Sequence, residues 1–158
     1  MIKLIIIKKA EKIFQTIINI LVTQKKRKTI CILLTKPVHE IINELKKNKI
    51  NPENALFITT QENQEKNCLT FNPADLTTLS ILIQEAITIL PKDALVIFDS
   101  FSTLEVYNSP NKLMQFATFL INKMRIRNKD LIILNILQKE ETPVYSILKQ
   151  FTDKIEKK

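Results

Sequence analysis

Short apolar runs alternate with helical stripes along the whole chain. Ile2–Ile7 is a nearly unbroken apolar run and predicts a strand. Lys9–Gln24 follows as a helix, with Ile13, Ile17, Ile20 and Leu21 on one face. Thr29–Leu34 predicts a second strand. Pro37–Lys47 predicts a helix with Pro37 at its first position, because Val38, Ile41, Ile42 and Leu45 recur at helical spacing. Ala55–Thr59 predicts a third strand, and Thr60–Asn67 a polar loop. Pro73 is expected to open a helix striped by Leu76, Leu79, Ile83, Ala86, Ile87 and Leu90, stopped by Pro91. Ala94–Asp99 predicts a fourth strand. Ser109-Pro110 pairs a capping hydroxyl with a first-turn proline, and Leu113, Phe116, Ala117, Leu120 and Met124 stripe the helix it starts. Leu131–Leu137 predicts a fifth strand. Thr142-Pro143 opens a last helix, whose stripe of Val144, Ile147, Leu148 and Phe151 runs on to Ile155.

Apolar strands that each lead into a helix fit a parallel sheet covered on both faces, an α/β three-layer sandwich. No repeat, linker or change of composition divides the pattern, so residues 1–158 are expected to form one domain. The chain contains no glycine, and its helices must end on other residues. Asn48 and Asn128 follow predicted helices and are the expected left-handed caps, since asparagine tolerates that conformation best after glycine.

The missing glycine also limits the chemistry. It excludes a Walker A loop, a dinucleotide fingerprint and a kinase-type loop, each of which brings backbone close to phosphate. Cys31 sits in the apolar run TICILL and reads as a buried small hydrophobe, and Cys68 borders a polar stretch. The only histidine, His39, lies early in a helix with no thiol nearby, so no metal-ligand spacing exists and no cofactor is expected. The apolar run at the N-terminus is too short to span a membrane and has no cleavage-site pattern, which predicts a cytoplasmic protein without membrane contact.

Charge is distributed unevenly. Residues 1–50 carry 12 Lys/Arg against 3 acids, and residues 51–158 carry 12 against 13, within a net charge of +8. On a strand–helix sheet the cations concentrate in the loops before strands: Lys25, Lys26, Arg27 and Lys28; Lys46, Lys47 and Lys49; Arg125, Arg127 and Lys129. Such a pole would suit nucleic acid. Cations at helix C-termini also complement the helix dipole, by about 0.3–1 kcal/mol each, and no stacking aromatics interleave these. The dipole role ranks first.

The run Ala94-Leu-Val-Ile-Phe-Asp99-Ser100 reads as a Walker B strand, ending in an acid able to hold hydrated Mg²⁺. With Phe101-Ser-Thr-Leu104 and Tyr107-Asn-Ser-Pro110 behind it, the chain resembles the RecA/KaiC-like ATPase superfamily, and among its members the degenerate KaiC-like domains of archaea. The resemblance implies a five-stranded, mainly parallel sheet in the spatial order 3-2-4-5-1, a truncated RecA-like core. It also implies ATP held between subunits, and here the chain departs from the family. The turn after the first strand is Lys8-Lys9-Ala10-Glu11, with no phosphate loop. Thr35-Lys36 stands where the family carries its catalytic acid, and the family's later strands are missing.

Asp99 and Ser100 are then a Walker B-like remnant, with Lys8, Lys9, Thr35, Lys36 and Gln138 around the same crevice. One carboxylate without a phosphate cradle and a water-positioning group cannot carry phosphoryl transfer. A loop or capping role for Asp99 ranks ahead of metal binding, and Ser102-Thr-Leu-Glu105 matches a capping box. In the implied order the first strand is an open apolar edge of Ile2, Leu4, Ile5, Ile6 and Ile7, which a second copy or a partner protein is expected to cover. The sequence therefore points first to a non-catalytic pseudo-ATPase acting as a regulatory or scaffolding interaction module. A nucleic-acid-associated protein is the alternative, and a nucleotide binder comes last.

Overall fold

The computed structural model describes residues 1–158 as one open sheet of seven strands, all pairing in parallel, with six α-helices. In chain order these are β1 (Ile2–Ile7), α1 (Lys12–Thr23), β2 (Thr29–Leu33), α2 (Val38–Lys47), β3 (Ala55–Thr59), β4 (Cys68–Thr70), α3 (Leu76–Ile89), β5 (Leu95–Asp99), α4 (Phe101–Leu104), α5 (Pro110–Ile126), β6 (Asp130–Ile136), α6 (Pro143–Phe151) and β7 (Lys154–Lys157). The spatial order is β4-β3-β2-β5-β6-β1-β7.

Side chains that alternate along each strand split the core in two. Ile2, Leu4 and Ile6 of β1, Ile30 and Ile32 of β2, and Val96 and Phe98 of β5 face α3, α4, α5 and α6. Ile5, Ile7, Cys31, Leu33, Leu95 and Ile97 face α1 and α2 on the other side. On α1 the inward stripe uses Ile18, with Ile20 only partly covered. Phe98 of β5 stacks on Phe101 of α4 with ring centres 4.5 Å apart, and Phe116 of α5 meets both rings at a tilt. No helix is long and apolar enough to cross a membrane.

The five strands expected from the sequence form the interior of the sheet, β3-β2-β5-β6-β1, but the strand count is corrected from five to seven. β4 and β7 are the added edges. They have three and four residues and bury no side chain fully, so no hydrophobic run marks them. β7 takes residues assigned above to the last helix, which stops at Phe151. Ile155 sits on an edge strand, 43% exposed.

β7 also overturns the expected open edge. β1 pairs with β6 on one side and with β7 on the other. Ile2, Leu4, Ile5, Ile6 and Ile7 are each 1% exposed or less, so the chain's own C-terminal segment covers what a partner was expected to cover. Asp153 grips the start of β1 twice: its N–H donates to the Ile2 carbonyl at 2.7 Å, and its Oδ2 accepts from the Ile2 N–H at 2.7 Å. Lys3 pairs with Glu156 at 2.8 Å, and Arg125 donates to the Phe151 carbonyl at 2.6 Å.

Helix ends follow the capping chemistry of the sequence, with shifts of register. Ser109 and Thr142 cap α5 and α6. Asp75, and not Pro73, opens α3 by accepting from the Thr78 N–H at 3.0 Å. Pro37 lies just outside α2, at ψ 138°. The expected capping box at Ser102 does not form, because Ser100 is already the N-cap of α4. At the end of α2 the left-handed residue is Lys49, with φ 57°, and not Asn48. The Lys49 N–H bonds to the Lys46 carbonyl and the Ile50 N–H to that of Leu45, a Schellman closure with Ile50 packed into the core. Asn128, at φ 51°, closes α5 in the same way.

Lysine at a left-handed position costs about 1 kcal/mol relative to glycine. Lys49→Gly is expected to raise stability in urea unfolding by about 0.5–1 kcal/mol, and Lys49→Ala to leave it unchanged. Deleting residues 152–158 would unpair one edge of β1. The shortened chain is expected to melt at lower temperature and to aggregate as it melts, read by light scattering against the full chain.

Candidate functional site

The C-terminal ends of β2 and β5 meet at the centre of the sheet, with Leu33 opposite Asp99. The Leu34 N–H donates to the Asp99 carbonyl at 2.8 Å, which carries the pairing one residue beyond β2. That extension brings Thr35 over the Asp99 side chain, where its hydroxyl donates to Oδ2. Asp99 is wholly buried, and its Oδ1 has no hydrogen-bond partner. Burial pushes its pKa from 3.8 up to about 6, against hydrogen bonds from Thr35 and the charge of Lys36. The peptide between Asp99 and Ser100 is cis.

Beyond Asp99 the polar groups turn inward on one another. The Ser100 hydroxyl lies 2.9 Å from that of Ser102 and 3.1 Å from that of Thr103. Asn135, buried on β6, accepts from the Ser102 N–H at 2.9 Å and fixes the start of α4 against the sheet. Glu105 accepts from Gln138 Nε2 at 2.7 Å and from the Thr142 hydroxyl at 2.8 Å, tying the loop after β6 and the cap of α6 to the end of α4. Sequence reasoning missed Asn135, and it read Glu105 as part of a capping box rather than as the partner of Gln138 and Thr142. Asn135 had a signal, as the one polar position inside the apolar run LIILNIL.

The crevice residues named from sequence are thus only partly brought together. Thr35, Lys36, Asp99 and Ser100 are neighbours, while Gln138 is held by Glu105. Lys8 and Lys9 are exposed at the end of β1, separated from β5 by β6. The turn there is closed on itself: the Lys12 N–H bonds to the Lys9 carbonyl at 2.9 Å and the Ile13 N–H to that of Ala10 at 3.1 Å. Two amides that open α1 are therefore spent inside the chain.

The basic pole divides. Lys129 is buried, with its amine against the carbonyls of Leu90 and Pro91, so it is removed from the patch expected above. Arg27 pairs with Asp130 at 3.0 Å and donates to the Asp93 carbonyl at 2.7 Å. Arg125 binds Asp153 and the Phe151 carbonyl, Lys47 pairs with Glu44, and Lys28 donates to Asn54 at 3.0 Å. Lys25, Lys26, Lys46, Lys49 and Arg127 remain exposed and in no ion pair. His39 is exposed on α2. Cys31 is buried, and burial pushes its thiol pKa up; Cys68, on β4, lies 3.1 Å from Asn63 Nδ2. No three His, Cys, Asp or Glu side chains cluster as a metal site would need.

No family model matches the chain, and neither does any curated protein. Among solved structures it is similar to an ATP synthase subunit, NeqB of Nanoarcheaum equitans, with a TM-score of 0.55 and 14% identity. The match covers 98% of this chain and 45% of that one, so the chain spans less than half of that subunit's length. At that identity the likeness is one of fold.

A carboxyl with a raised pKa binds its proton more tightly folded than unfolded, so its contribution is stabilising at low pH and lost as pH rises from about 4 to about 6. Asp130, Asp153 and Glu156 are held low by hydrogen bonds and cations and act in the opposite sense. The difference between wild type and Asp99→Asn isolates the buried group. In urea unfolding that difference is expected to change by up to about 3 kcal/mol between pH 4 and pH 7, with wild type favoured at the acid end. A difference independent of pH would mean that Asp99 ionises as an ordinary surface acid.

Proposed function

We propose that this chain is a non-catalytic RecA/KaiC-like module that works by protein contact, as a regulatory or scaffolding subunit. The observation that carries the reading is the closed turn after β1, where a nucleotide-binding relative of this fold would wrap phosphates in free amides. Here the amides of Lys12 and Ile13 already bond to Lys9 and Ala10. Two further features support it. Asp99 lies wholly buried with its Oδ2 taken by the Thr35 hydroxyl, and no two further His, Cys, Asp or Glu side chains stand with it to share a divalent cation. Thr35-Lys36 offers no carboxylate to orient an attacking water. The fold-level neighbour is a subunit of an ATP synthase, which agrees with a role inside an assembly.

The nucleic-acid reading is weaker. Arg27, Arg125, Lys47 and Lys129, four of the cations it invoked, are engaged within the chain.

A ligand at a hundred times its dissociation constant stabilises its protein by about 2.7 kcal/mol, or several degrees for a chain of this size. Millimolar Mg·ATP is expected to shift the melting temperature by less than about 1 °C, and phosphate release is expected to stay at the buffer level. A rise of several degrees, abolished by Asp99→Asn, would overturn the proposal in favour of a nucleotide binder.

A further inference from the structure

α3 is unusual for a helix at the surface. Its 14 residues, LTTLSILIQEAITI, carry a single charge, Glu85. The apolar residues of a surface helix belong on the face turned to the core, with polar residues opposite. One side of α3 is so placed, with Leu79, Ile83, Ala86 and Ile87 buried against the sheet. The other side mixes Thr77, Gln84, Glu85 and Thr88 with two apolar residues left open, Ile81 at 53% exposure and Ile89 at 76%. α5 lies alongside and adds Phe119 to the same face. Two cavities of about 400 and 260 Å³ run between the helices and share Thr77, Ser80 and Phe119, so the face is a continuous groove in which Ile81 and Phe119 stand among polar side chains.

The charges round this groove are sorted by helix. α3 and its cap contribute acids, Asp75 and Glu85, whereas α5 contributes Lys112 and Lys123. Glu85, Lys112 and Lys123 make no ion pair within the chain. Both helices follow strands of one parallel sheet and run in the same direction. A two-fold axis parallel to the groove would therefore lay α3 of one copy along α5 of the other. Glu85 would then meet Lys123 at one level and Asp75 would meet Lys112 at another, each twice. The alternative axis, across the groove, would set α3 on α3 and like charges together.

We infer that the α3–α5 face seats the same face of a second copy, in this first arrangement, with Ile81 and Phe119 at its centre. Helices of 14 and 17 residues packed about 10 Å apart present roughly 450 Å² per copy. The total of about 900 Å² lies just below the size of a stable interface, so the dimer is a weak one that forms at tens to hundreds of micromolar. The inference rests on the protein-contact reading and names its partner.

Sedimentation equilibrium of the full chain from about 5 to 500 µM in low salt tests it. The mass is expected to rise from 18.4 kDa toward twice that value with concentration. Ile81→Glu, at an exposed position, is expected to weaken association about tenfold or more with an unchanged melting temperature. Glu85→Lys and Lys123→Glu are each expected to weaken it alone, and an equimolar mixture of the two is expected to associate like wild type, because both cross-pairs are then restored. A chain that stays monomeric to 500 µM would overturn the inference, as would a dimer indifferent to Ile81→Glu or a mixture that fails to recover. The Mg·ATP melt is read separately, so a failed dimer leaves the non-catalytic assignment to its own measurement.

Discussion

In a sheet covered by helices on both faces, the backbone of a central strand has no route to water, and every N–H and C=O must be met by a neighbouring strand. That constraint organises this molecule. β2, β5, β6 and β1 are buried almost throughout, and each is paired on both sides. The pairing of β1 is completed by β7, a strand with no fully buried side chain of its own. β7 is positioned instead by polar contacts, with Asp153 on the first residue of β1 and Glu156 on Lys3. A weak strand thus closes a strong one, and the most apolar strand edge is removed from the surface.

The same demand for satisfied backbone explains how a chain without glycine terminates its helices. α2 and α5 both end in Schellman closures, and in each a side chain other than glycine takes the left-handed position. Asn128 accepts that position at small cost, whereas Lys49 does so at greater cost. In α2 the closure is secured by burial of Ile50, the next residue. Packing chooses the cap, and local preference follows it.

At the opposite edge the polar residues are directed inward. Thr35 covers Asp99, Asn135 holds the start of α4, and Glu105 gathers Gln138 and Thr142. Each of these bonds stabilises the junction of strand ends with the helices that follow them, and each consumes a donor or acceptor that a ligand would otherwise use. Elsewhere, the outer side of α3 leaves Ile81 and Ile89 exposed, and Lys112 and Lys123 of α5 stand in no ion pair.

The sequence by itself determined the five inner strands, the helix that follows each of them, and the caps Ser109 and Thr142. All of these rest on local pattern: burial on both faces writes itself as continuous apolar runs, and capping is a contact between residues three apart. It also marked Asp99, because an acid ending an apolar strand stands out in one dimension. Only the tertiary structure decided the two edge strands, which carry too little buried surface to leave a pattern, and so decided that β1 is closed from within. Only the fold could separate Lys129 from the basic loops, since its burial depends on Leu90 and Pro91, nearly forty residues away in the chain. The raised pKa of Asp99 belongs there too. It follows from burial between β2 and β5, and burial is a property of packed neighbours that no single segment of the chain contains.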